Sequence, residues 1–184
     1  MALSEFDIIR RFFDRPQVAA GRSDVLLGIG DDAAVVTVSD DHDLVLCMDT
    51  LVAGVHFPED TSPGAIGHKA LAVNLSDLAA MGAEPAWISL GLTLPDPDPA
   101  WLQGFSRGLG GLLHRYDLQL VGGDTTRGPL AIGIQAIGFC RFHNHDSGPI
   151  ATRKPEETAN GREAPPAQCV LLAYPPTRRG SLPG

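Results

Sequence analysis

The sequence predicts an α+β domain in which helices pack on one face of a mixed or antiparallel sheet. Two observations favour this class. Apolar, β-rich segments follow one another in the chain as they do in hairpins, instead of alternating strictly with helices. Two longer segments between them repeat their apolar residues at helical spacing. The expected order is therefore αβββαβαββ, and a dinucleotide-binding Rossmann unit is not expected, because the third glycine of that fingerprint is missing after Gly28-Ile29-Gly30.

The first half of the chain predicts one helix and three strands. Residues 4–14 are expected to be helical, with Ser4 as the N-cap and with Phe6, Ile9 and Phe13 near one face. The strands are predicted at residues 25–29, 34–38 and 43–48.

The second half predicts two helices and three strands. Residues 63–82 form the longer helical pattern, because Pro63 suits a first helical turn and Gly82 ends the apolar repeat. The other helix is predicted over residues 99–116. The strands are predicted at residues 87–94, 118–122 and 130–139, with a turn at residues 123–128 between the last two.

Charge and composition divide the chain into two parts. Residues 1–139 carry eight basic and 18 acidic side chains, whereas residues 140–184 carry six and four, together with seven of the 15 prolines. The second part shows no sustained apolar period. We therefore expect a folded domain over residues 1–139 and a proline- and arginine-rich, irregular tail over residues 140–184.

The composition also excludes several classes of protein. A formal net charge of −8 argues against a protein that binds nucleic-acid backbones. No apolar run reaches the roughly 18 residues of a membrane span, and the N-terminus does not resemble a signal peptide. The three cysteines form no CxxC pair, which favours a reducing compartment. A cytoplasmic protein is therefore expected.

Four apolar segments end in an aspartate beside a glycine or a hydroxyl residue. They contain Gly30-Asp31-Asp32, Asp49-Thr50, Ser76-Asp77 and Gly123-Asp124-Thr125. Ionised carboxylates are costly in apolar surroundings unless a cation neutralises them, and only Lys69 and Arg127 lie near these segments in the sequence. Mg²⁺ prefers oxygen ligands and commonly shares them with substrate phosphates. The pattern therefore favours metal-assisted chemistry on a phosphate group.

Each of these residues also has a simpler interpretation. A single aspartate after a strand is most often a turn or capping residue, although Asp77 interrupts an apolar helical pattern in which aspartate is unfavourable. His56 is as readily a core or surface histidine as a substrate contact. Cys47 suits a buried strand. For His143 and His145, a chance pairing is favoured over a metal site.

Taken in order, four segments resemble those of thiamine-monophosphate kinases. The segments are GIGDDAAVV, MDTLVAGVHF, HKALAVNLSDLAAMGAEPAW and VGGDTTRGPL. That family belongs to a superfamily with aminoimidazole-ribonucleotide synthetase, selenophosphate synthetase and a hydrogenase-maturation protein. The resemblance implies transfer of the γ-phosphoryl group of ATP onto thiamine monophosphate, which gives thiamine diphosphate and ADP. It also implies several Mg²⁺ ions, a homodimer formed through the first domains and no side-chain nucleophile.

The resemblance further implies which residues act. The metal-binding positions of the family match Asp32, Cys47, Met48, Asp49, Asp77 and Asp124. Gly123 and Asp124 match the pair that contacts ATP, and His56 matches the histidine that contacts the substrate. Cys47 is a poor ligand for a hard metal ion, and Met48 could offer only its backbone carbonyl group.

The resemblance covers about residues 5–139. Nothing in residues 140–184 matches the family, whose members continue into a second domain with further metal, nucleotide and thiamine contacts. We therefore expect that the second domain is missing, as a shifted reading frame or a truncated gene would cause, and that this chain alone turns over little or no substrate. Three alternatives remain: a related synthetase with another acceptor, a non-catalytic module that binds Mg²⁺ and nucleotide and dimerises, and an unstable fragment with an exposed apolar face.

Overall fold

The computed structural model describes residues 4–15, 18 and 21–141 of the 184-residue chain. Its first element is helix α1 (Glu5–Ile8), which continues as one π-helical turn over Ile9–Phe13. Ser4 Oγ accepts a hydrogen bond from Asp7 N at 3.2 Å, and Asp7 Oδ2 accepts one from Ser4 N at 3.2 Å. This reciprocal capping box confirms the predicted start of the helix.

Three strands follow the first helix. β1 (Val25–Leu27) and β2 (Val35–Val36) are short and pair antiparallel as a two-stranded ribbon. β3 (Asp43–Val52) is much longer and belongs to the main sheet. The sequence predicts all three strands at the right places, but β1 and β2 are shorter than predicted and β3 runs beyond residue 48.

The second half of the described chain contains two helices and three strands. They are α2 (Pro63–Ala80), β4 (Glu84–Leu94), α3 (Pro99–Arg115), β5 (Gln119–Arg127) and β6 (Ala131–Cys140). Both helices begin with proline after a capping side chain, Ser62 before α2 and Asp98 before α3. Gly82 follows α2 with a φ of +65°, the left-handed conformation in which helices commonly end. Both predicted helices are confirmed.

The main sheet has the strand order β3-β6-β4-β5. β6 pairs antiparallel with both β3 and β4. β4 and β5 run parallel, and α3 connects them along the chain. The sheet is therefore mixed, and the predicted α+β class is confirmed.

α2 and α3 pack together on one face of this sheet and form the main core with it. Every second residue of β6 faces that core, so that Ile132, Ile134 and Ala136 are fully buried. No helix among the described residues is both long and apolar enough to cross a membrane.

The opposite face of the sheet is covered in part by the β1–β2 ribbon. Trp87 and Val121 are buried there in a second, smaller apolar cluster. On the edge strand β3, Leu44, Leu46 and Met48 are 42%, 55% and 65% exposed. We call these three side chains the β3 apolar strip.

Two predictions about strand ends are wrong. Asp49 lies inside β3, opposite Ile134 of β6, and does not follow a strand. Most of the predicted turn at residues 123–128 is strand, because β5 continues to Arg127 beside β4. β5 outlasts its apolar pattern because its polar end pairs with β4, and β3 continues past Asp49 and Thr50 to Val52 because these residues pair with β6.

The predicted tail lies almost entirely outside the described residues. β6 ends at Cys140, and the described residues end at Arg141. The irregular tail predicted for residues 140–184 therefore stays a prediction. His143 and His145 also lie outside the described residues.

Candidate functional site

A cleft of about 660 Å³ opens where α1, the loop after β1 and the strands β4 and β5 meet. Its volume lies within the range of small-molecule sites. Among the described residues, Arg10 is the only basic residue that lines it. The acidic residues that line it are Asp14, Asp31, Asp32 and Asp124.

The loop after β1 places two of these carboxylates side by side. Gly30 has a φ of +118°, a conformation that residues with a Cβ rarely adopt. Asp31 Oδ1 accepts a hydrogen bond from Asp32 N at 2.9 Å, and both aspartates are exposed. The glycine-dependent turn therefore presents two adjacent acidic residues to the cleft.

β5 supplies another acidic residue of the cleft, Asp124. Gly123 has a φ of +152°, and a Cβ at this position would lie 2.0 Å from the carbonyl oxygen of Leu90. Any side chain at position 123 would therefore force β4 and β5 apart. The next residue, Asp124, pairs with Gly91 in the parallel ladder and is exposed in the cleft. The pair predicted to contact ATP thus lies within a strand and not within a turn.

Apolar side chains of the first helix also line the cleft. Phe6, Ile9 and Phe13 line it from the first helix, which confirms that they share one face. Phe13 is buried and meets Phe105 of α3 edge to face, with ring centroids 6.4 Å apart. Phe6, in contrast, is 71% exposed. The cleft therefore joins an apolar wall, formed by Phe6, Ile9 and Phe13, to an acidic rim, formed by Asp31, Asp32 and Asp124.

A second group of predicted site residues lies between β3 and α2. Asn74 is fully buried there, and its Oδ1 accepts a hydrogen bond from Asp49 N at 3.2 Å. Cys47 Sγ donates to the carbonyl oxygen of Asn74 at 3.5 Å. Burial, with smaller contributions from the charges of Asp77 and Asp49, raises the pKa of the Cys47 thiol to about 11. Cys47, Asp49 and Asp77 therefore lie close to one another.

Sequence reasoning missed Asn74. Its Nδ2 donates to the carbonyl oxygen of Ala70 at 3.0 Å, so the buried amide has partners both in its own helix and on β3. A signal was available, because an asparagine within the apolar segment LAVNLSDLAAMG needs hydrogen-bond partners once that segment is buried. Asn74 fixes the position of β3 relative to α2.

Met48 and His56 do not line the cleft. The Met48 side chain is 65% exposed on the opposite face of β3 from Cys47, because side chains alternate along a strand. His56 is exposed in the loop after β3, and its Nδ1 accepts a hydrogen bond from Val52 N at 3.0 Å. Lys69 Nζ donates to the carbonyl oxygen of His56.

The described residues contain no group of three or more His, Cys, Asp or Glu side chains arranged to hold a metal ion. The structure brings Asp32 and Asp124 to the cleft, and it brings Cys47, Asp49 and Asp77 to the second group. Carboxylate oxygens suit Mg²⁺, which is usually bound by one or two carboxylates and completes its coordination with water and substrate phosphates. The donor chemistry of the aspartates therefore fits Mg²⁺, whereas that of the Cys47 thiol does not, and the ligand roles of these residues stay predictions.

A partly buried ion pair anchors β1 to the main sheet. Arg22 Nη2 donates to Asp24 Oδ2 at 2.7 Å, and Arg22 N donates to Gln119 Oε1 at 2.7 Å. Trp87 Nε1 donates to Asp24 Oδ1 at 3.1 Å. Burial by itself would raise the pKa of the Asp24 carboxyl, but the hydrogen bonds from Arg22 and Trp87 outweigh it and lower that pKa. These contacts, which the sequence did not reveal, hold β1 and the loop at residues 28–32 relative to β4 and β5.

Comparison with known proteins places this arrangement in a family. The model of the AIR synthase related protein N-terminal domain matches residues 30–140. Thiamine-monophosphate kinase of Escherichia coli K12 is 57% identical over 139 residues, and that of Haemophilus influenzae Rd is 49% identical over 139 residues. Both alignments cover 76% of this chain and 42% of the relative, so the chain spans less than half the length of these curated relatives.

Solved structures share the fold. Thiamine-monophosphate kinase from Stenotrophomonas maltophilia K279a is 49% identical with a TM-score of 0.66, over 77% of this chain and 44% of that one. A structure described as AaThiL complexed with AMPPCP and TMP is 30% identical with a TM-score of 0.54, over 57% of this chain and 35% of that one. Because the family model matches well over half of the chain and these folds agree with it, the chain belongs to the AIR synthase related proteins and carries their N-terminal domain.

Proposed function

We propose that this chain is the ATP- and Mg²⁺-binding N-terminal part of a thiamine-monophosphate kinase. In that reaction, a phosphate oxygen of thiamine monophosphate bonds to the γ-phosphorus of ATP. The bond from this phosphorus to the β–γ bridging oxygen breaks, and thiamine diphosphate and ADP leave. One observation carries the proposal: Asp31, Asp32, Gly123 and Asp124 line a single cleft in a chain 57% identical to such a kinase over 139 residues.

The charge of the cleft favours phosphates that arrive with a cation. Of the residues that the structure describes, four aspartates and one arginine line it, so a free polyphosphate would be repelled. We propose that Asp32 and Asp124 hold Mg²⁺ at the cleft and that Asp49 and Asp77 hold it in the second group. Bound Mg²⁺ would offset the negative charge of both phosphorylated reactants.

The backbone of β5 supports binding of phosphate groups. Gly122 carries no side chain, and the space where its Cβ would lie is open, which lets a phosphate oxygen approach the backbone beside Asp124. A nucleophilic side chain is not required, because the acceptor is itself a phosphate oxygen. The role of these residues is to position and neutralise the reactants.

His56 is the proposed contact to thiamine monophosphate. Its Nδ1 accepts a hydrogen bond from the backbone N–H of Val52, so the proton of the neutral ring is on Nε2. The ring is exposed, and Nε2–H is available to donate to a phosphate oxygen.

The proposed assembly is a homodimer in the cytoplasm. The β3 apolar strip lies on an edge strand, and both an exposed apolar patch and an open strand edge favour association with another copy. The free thiols of Cys47 and Cys140 are compatible with a reducing compartment.

Titration calorimetry of the purified chain with AMPPNP, with and without Mg²⁺, tests the binding step. We expect binding to require Mg²⁺ and to weaken by roughly tenfold or more in Asp32→Asn and in Asp124→Asn, because each loses a charged metal ligand. Asp40→Asn is the matched control, since it makes the same charge change at an exposed position outside the cleft.

An assay of ADP formation with ATP and thiamine monophosphate separates the two candidate functions. Turnover supports the kinase. Mg²⁺-dependent binding without turnover supports a non-catalytic nucleotide-binding module. The proposed site is wrong if AMPPNP does not bind in the presence of Mg²⁺. It is also wrong if Asp32→Asn and Asp124→Asn both bind AMPPNP as tightly as the unmodified chain and the Asp40→Asn control do.

A further inference from the structure

The apolar wall of the cleft has no role in the phosphate chemistry described above. Phe6 is 71% exposed and lines the cleft. On the other side of the same helix, Ile8 and Phe12 are 4% and 3% exposed and belong to the core. Because the core holds the helix by these two residues, Phe6 is kept open to the cleft.

The lining of the cleft combines apolar and charged side chains. Ile9 and Phe13 belong to the same wall as Phe6, and further apolar residues also line the cleft. These are Ile29, Leu90 and Leu120. Arg10 lines the cleft beside the wall, and its Nε donates to the carbonyl oxygen of Phe6 at 3.3 Å. A ligand that suits this lining has a flat apolar part and an anionic part.

We propose that Phe6 and Ile9 form a subsite for the heteroaromatic ring of a phosphorylated ligand whose phosphates lie at the acidic rim. This inference rests on the proposed function, since it takes the rim to bind phosphates through Mg²⁺. A nucleoside triphosphate and thiamine monophosphate share the required chemistry, a planar heteroaromatic ring joined to phosphate. Rings of this kind stack on aromatic side chains whatever their hydrogen-bonding pattern.

The test compares ligands that differ by the ring alone. The full chain is titrated in Mg²⁺ with AMPPNP against inorganic tripolyphosphate, and with thiamine monophosphate against inorganic phosphate. We expect Phe6→Ala to weaken binding of the ring-bearing ligand of one pair by at least about fivefold and to leave the ring-free partner unchanged. Phe6→Tyr keeps an aromatic ring and should retain the affinity. Val55→Ala is the matched control, because Val55 is 74% exposed and lies outside the cleft.

If Phe6→Ala weakens binding of AMPPNP but not of tripolyphosphate, the ring of the nucleotide occupies the apolar wall. If it weakens binding of thiamine monophosphate but not of phosphate, the ring of thiamine occupies it. Equal weakening of ring-bearing and ring-free ligands overturns the inference, and so does an unchanged affinity of Phe6→Ala for all four ligands. In both cases the proposed function stands, since phosphates still bind. If the unmodified chain binds none of the four ligands, the proposed function is wrong and the ring subsite is overturned with it.

Discussion

The close contact between α2 and α3 predicts a large loss of stability in Gly108→Ala. A Cβ at position 108 would lie 2.0 Å from the carbonyl oxygen of Gly64, whereas real Cβ atoms essentially never approach another atom within 3.0 Å. The obstacle is the backbone of the neighbouring helix, so no side-chain rotation relieves it. The two helices must move apart by about 1 Å, which loosens the core that they share with the sheet.

The expected magnitude follows from two opposing terms. Overpacking a core costs about 1–3 kcal/mol, and a backbone obstacle belongs at the upper end of that range. Alanine in place of glycine within a helix contributes about 1 kcal/mol in the opposite direction. Gly108→Ala should therefore lower the free energy of unfolding by about 2 kcal/mol.

Gly111→Ala is the matched control in the same helix. A Cβ at position 111 would meet no atom within 4 Å, so only the gain in helix propensity applies. Urea unfolding followed by circular dichroism should show the two variants differing by about 3 kcal/mol, with Gly111→Ala the more stable. Equal stabilities, or a Gly108→Ala variant more stable than the unmodified chain, would refute the close contact between the helices.

Three further predictions concern other parts of the molecule. Asp24→Asn should lower the free energy of unfolding at pH 7 by about 1–3 kcal/mol, because it weakens charged hydrogen bonds. Folding lowers the pKa of Asp24 from its ordinary value of 3.8, so the difference in free energy of unfolding between the variant and the unmodified chain should shrink in urea titrations as the pH falls below that value. A difference independent of pH would contradict the lowered pKa of Asp24. Gly123→Ala should unfold at a markedly lower urea concentration than Gly122→Ala, because a Cβ at position 123 would lie 2.0 Å from the carbonyl oxygen of Leu90 whereas one at position 122 meets nothing within 4 Å. Equal unfolding midpoints would be inconsistent with the contact between β4 and β5. Leu46→Lys in the β3 apolar strip should shift the chain toward monomer in sedimentation velocity while the exposed Val55→Lys does not, and an unchanged dimer would exclude the strip as the interface.

Local signals in the sequence determined the helices and the order of the elements. The capping residues Ser4, Ser62 and Asp98, the prolines that follow the last two, and Gly82 after α2 all act within a few residues of the helix end. The short-range pattern was therefore enough to place these elements and to favour the α+β class. The motifs that resemble a kinase family are also short, continuous segments, and the comparison with known proteins bears that resemblance out.

Only the tertiary structure decided which of the singled-out residues meet. Asp32 and Asp124 share the cleft because the parallel pairing of β4 and β5 and the anchored ribbon bring distant segments together. Cys47 and Asp49 contact Asn74 because α2 packs on β3, and no sequence spacing shows that contact.

The ends of the strands and the open face of the first helix were decided in the same way. β3 extends to Val52 because every one of its residues pairs with β6, from Asp43 opposite Cys140 onward. Phe6 shares a helical face with Phe13, a pattern that the sequence shows, but packing on α3 buries Phe13 and leaves Phe6 open to the cleft. Periodicity reports which residues share a face. What that face meets depends on partners far away in the chain, whose contacts form only when the whole domain folds.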